Sequence, residues 1–414
     1  AQVTTSVREV RVRLNFGDET LSVGRLAMHK HKIYFEYDTA FCAHGLELSP
    51  LRLPIGPGVR SFDNHLFEGL PGVFNDSLPD GWGRLLFDRF VRFQGLLPED
   101  LTPLDRLVRI GADGLGALIY EPDCSVSNVY DDIRLDTLAI QARNALRGAA
   151  EDVLEELMSL NGSSAGARPK ALIGVNDARD RIVHGACDIV DGYTPWIVKF
   201  PNSRDGLDAG AIEYTYAVMA KEAGISMPEV HLFPAQNGPG YFGIQRFDRE
   251  GRTRFHVHTA CGLLHSDFRV PSLDYSDLVA LAGALTRDVR EVEKVYQLAV
   301  FNVLAHNRDD HSKNFSFLMD RSGMWMLSPA YDLTFSSGPG GEQSTMVMGE
   351  GRNPCQEHLL SLAEEAKIKR GHALDIIERT RMSLEKWPEL ASQYGVRHEN
   401  VELMKQKCNL QHKG

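Results

Sequence analysis

The spacing of apolar residues changes along this chain from the two-residue alternation of strands to the three- and four-residue steps of helices, and that change restricts the fold more than any single residue. Val7 to Leu14, Thr20 to Leu26 and Ile33 to Tyr37 alternate, with Gly17, Gly24 and Gly45 at the turns, which predicts a small sheet. Asp76 to Phe93 opens with turn residues and continues with Leu85, Leu86, Phe90 and Phe93 at helical spacing, so a helix should close over that sheet with Phe87, Phe90 and Phe93 in the core. Leu135 to Leu160 reads as one helix or two, with a break near Gly148. Strand-like runs follow at Ala171 to Val175, Ile182 to Val190 and Thr194 to Phe200, then a helix over Ala209 to Ala223 and a strand over Tyr241 to Phe247. Beyond Asp248 the pattern turns helical, except for a hairpin formed by Phe315 to Met319 and Met324 to Leu327.

These periods predict an α+β architecture with three parts: a β-rich N-terminal subdomain over residues 1–125, an α/β lobe over 126–248, and an all-helical C-terminal lobe over 249–414 that carries the functional loops. At 414 residues the chain can bury more than one core. Its formal net charge of -11 has the wrong sign for broad, direct binding to nucleic acid. The six cysteines lie far apart with no C-x-x-C pair, so neither a zinc cluster nor a disulfide framework is expected, and a reducing cytoplasm fits. No apolar run reaches the roughly 18 residues needed to span a bilayer, so no membrane association is expected.

The most informative text is His306-Asn307-Arg308-Asp309-Asp310-His311-Ser312-Lys313-Asn314, followed after the hairpin by Tyr331-Asp332-Leu333. Phosphoryl transfer needs a carboxylate to orient the attacking hydroxyl, and an amide oxygen plus a second carboxylate to hold magnesium on the ATP phosphates. Asp309 suits the first role, and Asn314 with Asp332 the second. Lys313 would be a cation near the transferred group, and His311 would fix the loop by hydrogen bonding. A solvated polar loop is the competing reading of the D-x-x-x-x-N spacing alone.

Upstream, Lys199 ends the apolar strand Thr194 to Val198, where a desolvated ammonium needs an anionic partner: Glu213 on the next helix, or nucleotide phosphates. Ser163, Ser164, Ala165, Gly166 and Ala167 form a small-residue turn whose backbone could approach phosphates. His256, His258 and His265 are read as polar surface and not as a metal cluster.

Taken together, Ser163 to Lys170, Trp196 to Pro201, Glu213-Tyr214, Arg246 to Arg249, the Asp309 to Asn314 loop and Pro329 to Leu333 resemble the HipA family of serine/threonine kinases, the toxin half of bacterial toxin–antitoxin pairs. Ser77 to Arg84 is similar to that family's N-terminal subdomain. The resemblance implies a bilobal fold like those of protein and phosphoinositide kinases, ATP and Mg as cofactors, and adenine held at Gln245 to Phe247. It also implies autophosphorylation at Ser163 or the adjacent Ser164, a protein substrate such as an aminoacyl-tRNA synthetase, and a small DNA-binding antitoxin as partner. A small-molecule phosphotransferase and a non-catalytic nucleotide-binding corepressor remain the alternatives.

Overall fold

The computed structural model describes residues 6–63, 65–126, 133–148, 151–161, 166–185, 191–202 and 205–409. The N-terminal sheet has the strand order Arg60–Ser61, Lys32–Tyr37, Thr20–His29, Glu9–Asn15, Leu118–Glu121, and all neighbours are antiparallel. Alternation in Glu9–Asn15 sends Val10, Val12 and Leu14 inward, where they are fully buried. Leu104, Leu107 and Val108 meet them from the helix Pro103–Ile110. Its start is fixed by a capping box in which the Asp105 N–H donates to Thr102 Oγ1 at 3.2 Å and the Thr102 N–H donates to Asp105 Oδ2 at 2.9 Å.

The expectation that the Asp76 to Phe93 segment covers this sheet is corrected. Its helix, Gly81–Phe93, turns Trp82 and Leu86 into the core of the middle lobe. Phe87 and Phe90 are buried, but Phe93, the last residue of the helix, is 51% exposed. Amphipathic spacing says which side of a helix is buried and is silent on which neighbour buries it.

The middle lobe is a five-stranded antiparallel sheet ordered Ile182–His184, Lys170–Asn176, Tyr193–Lys199, Tyr241–Gln245, Val230–Phe233. The Leu135 to Leu160 segment forms two helices, Leu135–Arg147 and Glu151–Ser159. The first stops at Gly148, whose φ of 108° takes the chain out of the helix. Ala209–Glu222 packs against the same sheet and also against Arg370–Glu385 and Trp387–Gln393, bridging the two lobes.

The C-terminal lobe is built on Tyr275–Thr286, Val289–Leu304, Gln356–Glu365, Arg370–Glu385, Trp387–Gln393 and His398–Lys407. It is less purely helical than its periodicity suggests: His256–Thr259 joins the hairpin strands Ser316–Met319 and Trp325–Leu327 in a three-stranded sheet, and Leu273–Asp274 pairs with Thr345–Met346. The H-x-H text therefore lies inside the protein. His256 and His258 are both 0% exposed; His256 Nε2 bonds the Leu48 carbonyl, and His258 bridges Asp76 at 2.6 Å and Ser49 at 2.9 Å. His265 Nε2 accepts the Gly72 N–H at 3.1 Å. Reading His256 and His258 as polar surface failed because neighbouring chain accommodates them in the core: each ring nitrogen of His258 has a partner, while His256 is held through Nε2 alone and its Nδ1 has none among the described residues.

One continuous apolar core joins the N-terminal sheet to the helical lobe, and a second lies within the middle lobe. Asp248 fastens these parts together. It accepts from Arg246 at 2.9 and 2.8 Å, from Arg249 at 2.7 Å and from the Gly116 N–H of the N-terminal subdomain at 2.7 Å. Burial acts to raise its pKa, but the two guanidinium groups outweigh it and hold the carboxyl well below the usual range. Its stabilising contribution is therefore complete at neutral pH and is lost as the pH falls through that depressed value. Asp248→Ala removes the carboxylate between two largely buried guanidinium groups, which keep only part of their hydrogen bonding, to backbone carbonyls. It is expected to cost about 3–5 kcal/mol, read as a lowered denaturant midpoint. A loss under ~1 kcal/mol would mean that the cluster behaves like a surface ion pair.

Candidate active site

The helix Val289–Leu304 ends just before the loop that carries Asp309, and residues 309 and 310 face opposite ways. Asp309 is exposed to the cleft. Asp310 is 1% exposed and accepts from Tyr275 Oη at 2.7 Å, Gln343 Nε2 at 2.9 Å and the N–H groups of Ser344 and Thr345 at 2.9 and 3.2 Å. Burial pushes the Asp310 carboxyl up to about 6, while those donors act in the opposite direction. Asn302 continues the network, donating to Tyr275 Oη at 2.9 Å and accepting from Asn307 Nδ2 at 2.9 Å. The loop is thus braced from behind, and Asp309 is held out on its front.

His311 does not provide that brace. Its Nδ1 is buried with no hydrogen-bond partner among the described residues, and its ring packs on Phe268 with centroids 5.5 Å apart. It lies close enough to Asp309 to favour the carboxylate. Asn314 Nδ2 donates to the Asp309 carbonyl at 2.7 Å, which leaves the amide oxygen free of that bond. Lys313 turns toward the N-terminal subdomain, 2.6 Å from Asp80 Oδ2 and 4.4 Å from the Phe268 ring centre.

Asp332 follows the hairpin with a left-handed backbone, φ 57°, a conformation that aspartate tolerates better than most residues. The preceding Tyr331 donates its hydroxyl to the Lys313 carbonyl at 2.7 Å, tying this segment to the loop before Asn314. Lys199 Nζ bonds both Asp332 and Glu213, the latter at 2.6 Å. Glu213 is 1% exposed and also meets Arg168 at 3.1 Å; Arg168 in turn reaches Asp205 at 3.2 Å.

Burial alone would raise the Asp332 carboxyl and lower the Lys199 ammonium. Their mutual attraction reverses both shifts: Asp332 lies far below the usual carboxylate range and Lys199 above the usual amine. Burial also raises the pKa of Asp309. The charge of Asp332 adds to that rise, so the two carboxylates share one small region.

Two cations here escaped the sequence reading. Lys170 pairs with Lys199 in the antiparallel register of their strands, which puts both side chains on the same face. Burial, with Lys199 alongside, brings the Lys170 ammonium down to about 8. Arg168 is the second. Both stand in the Ser163 to Lys170 text, where the small residues drew attention from the basic ones.

Of the loop residues, Gly166 and Ala167 are described; Ser163, Ser164 and Ala165 lie outside the described residues. A β-carbon at Gly166 would lie 2.8 Å from Lys170 Nζ, so the chain passes directly over that lysine. At the far end of the cleft, the Gln245 N–H is taken by the Glu229 carbonyl, and the Phe247 ring lies 5.4 Å from that of Tyr331. Ile197, Phe242 and Ile244 pack with Tyr331 in a small apolar cluster at this end. One end of the cleft is therefore apolar and the other carries three cations and two cleft-facing carboxylates.

Comparison with known proteins bears on this arrangement. The HipA-like C-terminal domain model matches residues 162–387, and the HipA N-terminal domain model matches residues 18–121. Two proteins of Sinorhizobium fredii (strain NBRC 101917 / NGR234), named "Putative kinase Y4dM" and "Putative kinase Y4mE", are each 26% identical, over 300 and 279 residues. The matches cover 68% and 58% of this chain but 66% and 63% of those relatives, slightly under two thirds of their length. Among solved structures, HipA of Shewanella oneidensis MR-1, in complex with HipB and its operator DNA, superposes with a TM-score of 0.68 at 18% identity, covering 96% of this chain and 95% of that one. The shared fold is bilobal and kinase-like.

Proposed function

Because the chain belongs to the HipA family, whose C-terminal domain model alone spans more than half of it, we propose that it is an ATP- and Mg-dependent serine/threonine protein kinase that acts as a growth-arresting toxin. The observation that carries this reading is the meeting of Lys199 and Glu213 from the sheet lobe with Asp309 and Asp332 from the helical lobe. That is the group set of phosphoryl transfer: an oriented lysine, a metal-binding acid and an acid to receive the hydroxyl proton.

The residues present fit the cofactors. Magnesium commonly takes one or two protein carboxylates and completes its shell with phosphate oxygens and water, and Asp332 with Asn314 Oδ1 is such a donor set. Lys170, Lys199 and Arg168 would hold a polyphosphate, while the apolar end beside Phe247 and Tyr331 suits a base. Bound Mg and ATP would supply the transferable phosphoryl group and much of the counter-charge it needs. Asp309 orients the substrate hydroxyl and takes its proton, an action favoured by its raised pKa. Glu213 holds Lys199 in place by a bond that would remain with Asp332 engaged by the metal.

Phosphorylation at Ser163, or at Ser164 beside it, would place close to two negative charges in the phosphate site and silence the enzyme. The substrate is a protein, an aminoacyl-tRNA synthetase being the leading class. The Shewanella relative is found with HipB on operator DNA, and this chain would have a DNA-binding antitoxin of the same kind. With a net charge of -11 it would reach DNA through that partner.

The test is to incubate the protein with γ-labelled ATP and Mg, separately with protein extract and with a panel of small alcohols. Label on a macromolecule, or on the protein itself, is the expected result. Label confined to small alcohols would make it a small-molecule phosphotransferase. Bound nucleotide with no transfer would make it a corepressor.

A further inference from the structure

The N-terminal subdomain also reaches into the cleft, through Asp80 in the turn before Gly81–Phe93. Among the described residues, each oxygen of its carboxylate has one hydrogen-bond partner. Oδ1 accepts the Gly166 N–H at 2.5 Å, and Oδ2 accepts from Lys313 Nζ at 2.6 Å. Two residues on, the Trp82 N–H donates to the Gly166 carbonyl at 3.0 Å, so one short turn holds both backbone groups of Gly166. Gly81 permits the approach: its φ is 44°, and a β-carbon there would lie 2.6 Å from the Gly166 oxygen.

The two partners of Asp80 belong to different lobes, Gly166 to the middle lobe and Lys313 to the helical lobe. Gly166 ends the small-residue loop and lies over Lys170. Lys313 immediately precedes Asn314, and its carbonyl accepts from Tyr331, the neighbour of Asp332. The Lys313 side chain is only 8% exposed and packs under Phe268, so its ammonium has little water to replace Asp80. A bond that only fastened the N-terminal subdomain in place would not need to join these two loops. The Asp76, Thr259, His258 and Ser49 cluster already ties that subdomain to the helical lobe with hydrogen bonds that involve neither loop.

We propose that Asp80 is a positioning residue supplied by the N-terminal subdomain, which fixes the separation between the phosphate-side loop and the Asp309 to Asn314 loop. The subdomain is then part of the phosphotransfer site and not an appendage to it. This inference rests on the kinase reading, and the experiment separates the two.

Asp80→Asn, Asp80→Glu, Lys313→Met and the double variant Asp80→Asn/Lys313→Met are compared with the wild type in the full chain. Misplacement of about 1 Å can cost about 100-fold in rate, and a fall of that order in the kcat of phosphate transfer is expected for Asp80→Asn. Asp80→Glu should recover part of it, and the double variant should be no slower than the worse single one. In parallel, amide exchange in the peptide spanning residues 159–172 should quicken in Asp80→Asn, while Val289–Leu304 stays protected. A wild-type kcat in Asp80→Asn, or multiplicative losses in the double variant, would overturn the proposal. So would a lowered melting temperature with kcat per folded molecule unchanged. If the wild type transfers no phosphate, the kinase reading fails, and the exchange experiment decides the clasp alone: unchanged exchange at 159–172 overturns it.

Discussion

Asp309→Ala is expected to lower phosphate transfer by roughly 10²–10⁴-fold, the usual worth of a positioned general base, while nucleotide binding survives. The structure explains why the two effects separate. The Asp309 side chain faces the cleft, and Asp310 holds the loop through four hydrogen bonds that do not involve it. Its removal leaves no buried partner stranded, so stability should change by no more than about 0.5 kcal/mol. It also removes a negative charge close to Asp332, which if anything eases the approach of phosphates. Single-turnover transfer and equilibrium ATP binding, measured on the same preparation, check both halves. Equal loss of binding and transfer would mean that Asp309 does something other than receive a proton.

Lys199→Met should do the reverse and weaken nucleotide binding first. The Lys199 ammonium is the shared partner of Asp332 and Glu213, in surroundings that leave its side chain 10% exposed. A hydrogen bond to a charged group is worth about 1.5–3 kcal/mol, so ATP affinity should fall roughly 10- to 100-fold. Glu213 keeps Arg168 at 3.1 Å, so it is not left as an isolated buried charge and the variant should still fold. Lys199→Arg restores the charge but not the point-like geometry, and should recover only part of the affinity. Titration of ATP and Mg into folded variants reads this directly. Unchanged affinity in Lys199→Met would remove Lys199 from the nucleotide site.

The parts of the site that could be read from the sequence are those whose partners lie close by or follow a fixed spacing. Asp309 and Asn314 belong to one short loop, Glu213 lies 14 residues from Lys199, and a hairpin returns the chain to Asp332. Asp80 could not be found in this way. Its partner Lys313 is 233 residues distant, and nothing local to either residue requires the other. Lys170 needed the strand register, since only its pairing opposite Lys199 turns a basic residue at the end of a small-residue turn into a second cation of the cleft. Fold errors have the same origin. Periodicity gave the buried side of Gly81–Phe93 but not the lobe it packs on, and alternation placed His256 and His258 on one strand face without saying that this face is internal.

Asp309, Asn314 and Asp332 should serve one nucleotide and its metal. The most direct measurement is a calorimetric titration of ATP into the wild type and Asp332→Asn, with and without Mg. The expected result is one ATP bound per chain by the wild type, tightened by Mg, with the effect of Mg lost in Asp332→Asn. ATP binding that is indifferent to Mg in the wild type, or absent altogether, would contradict it.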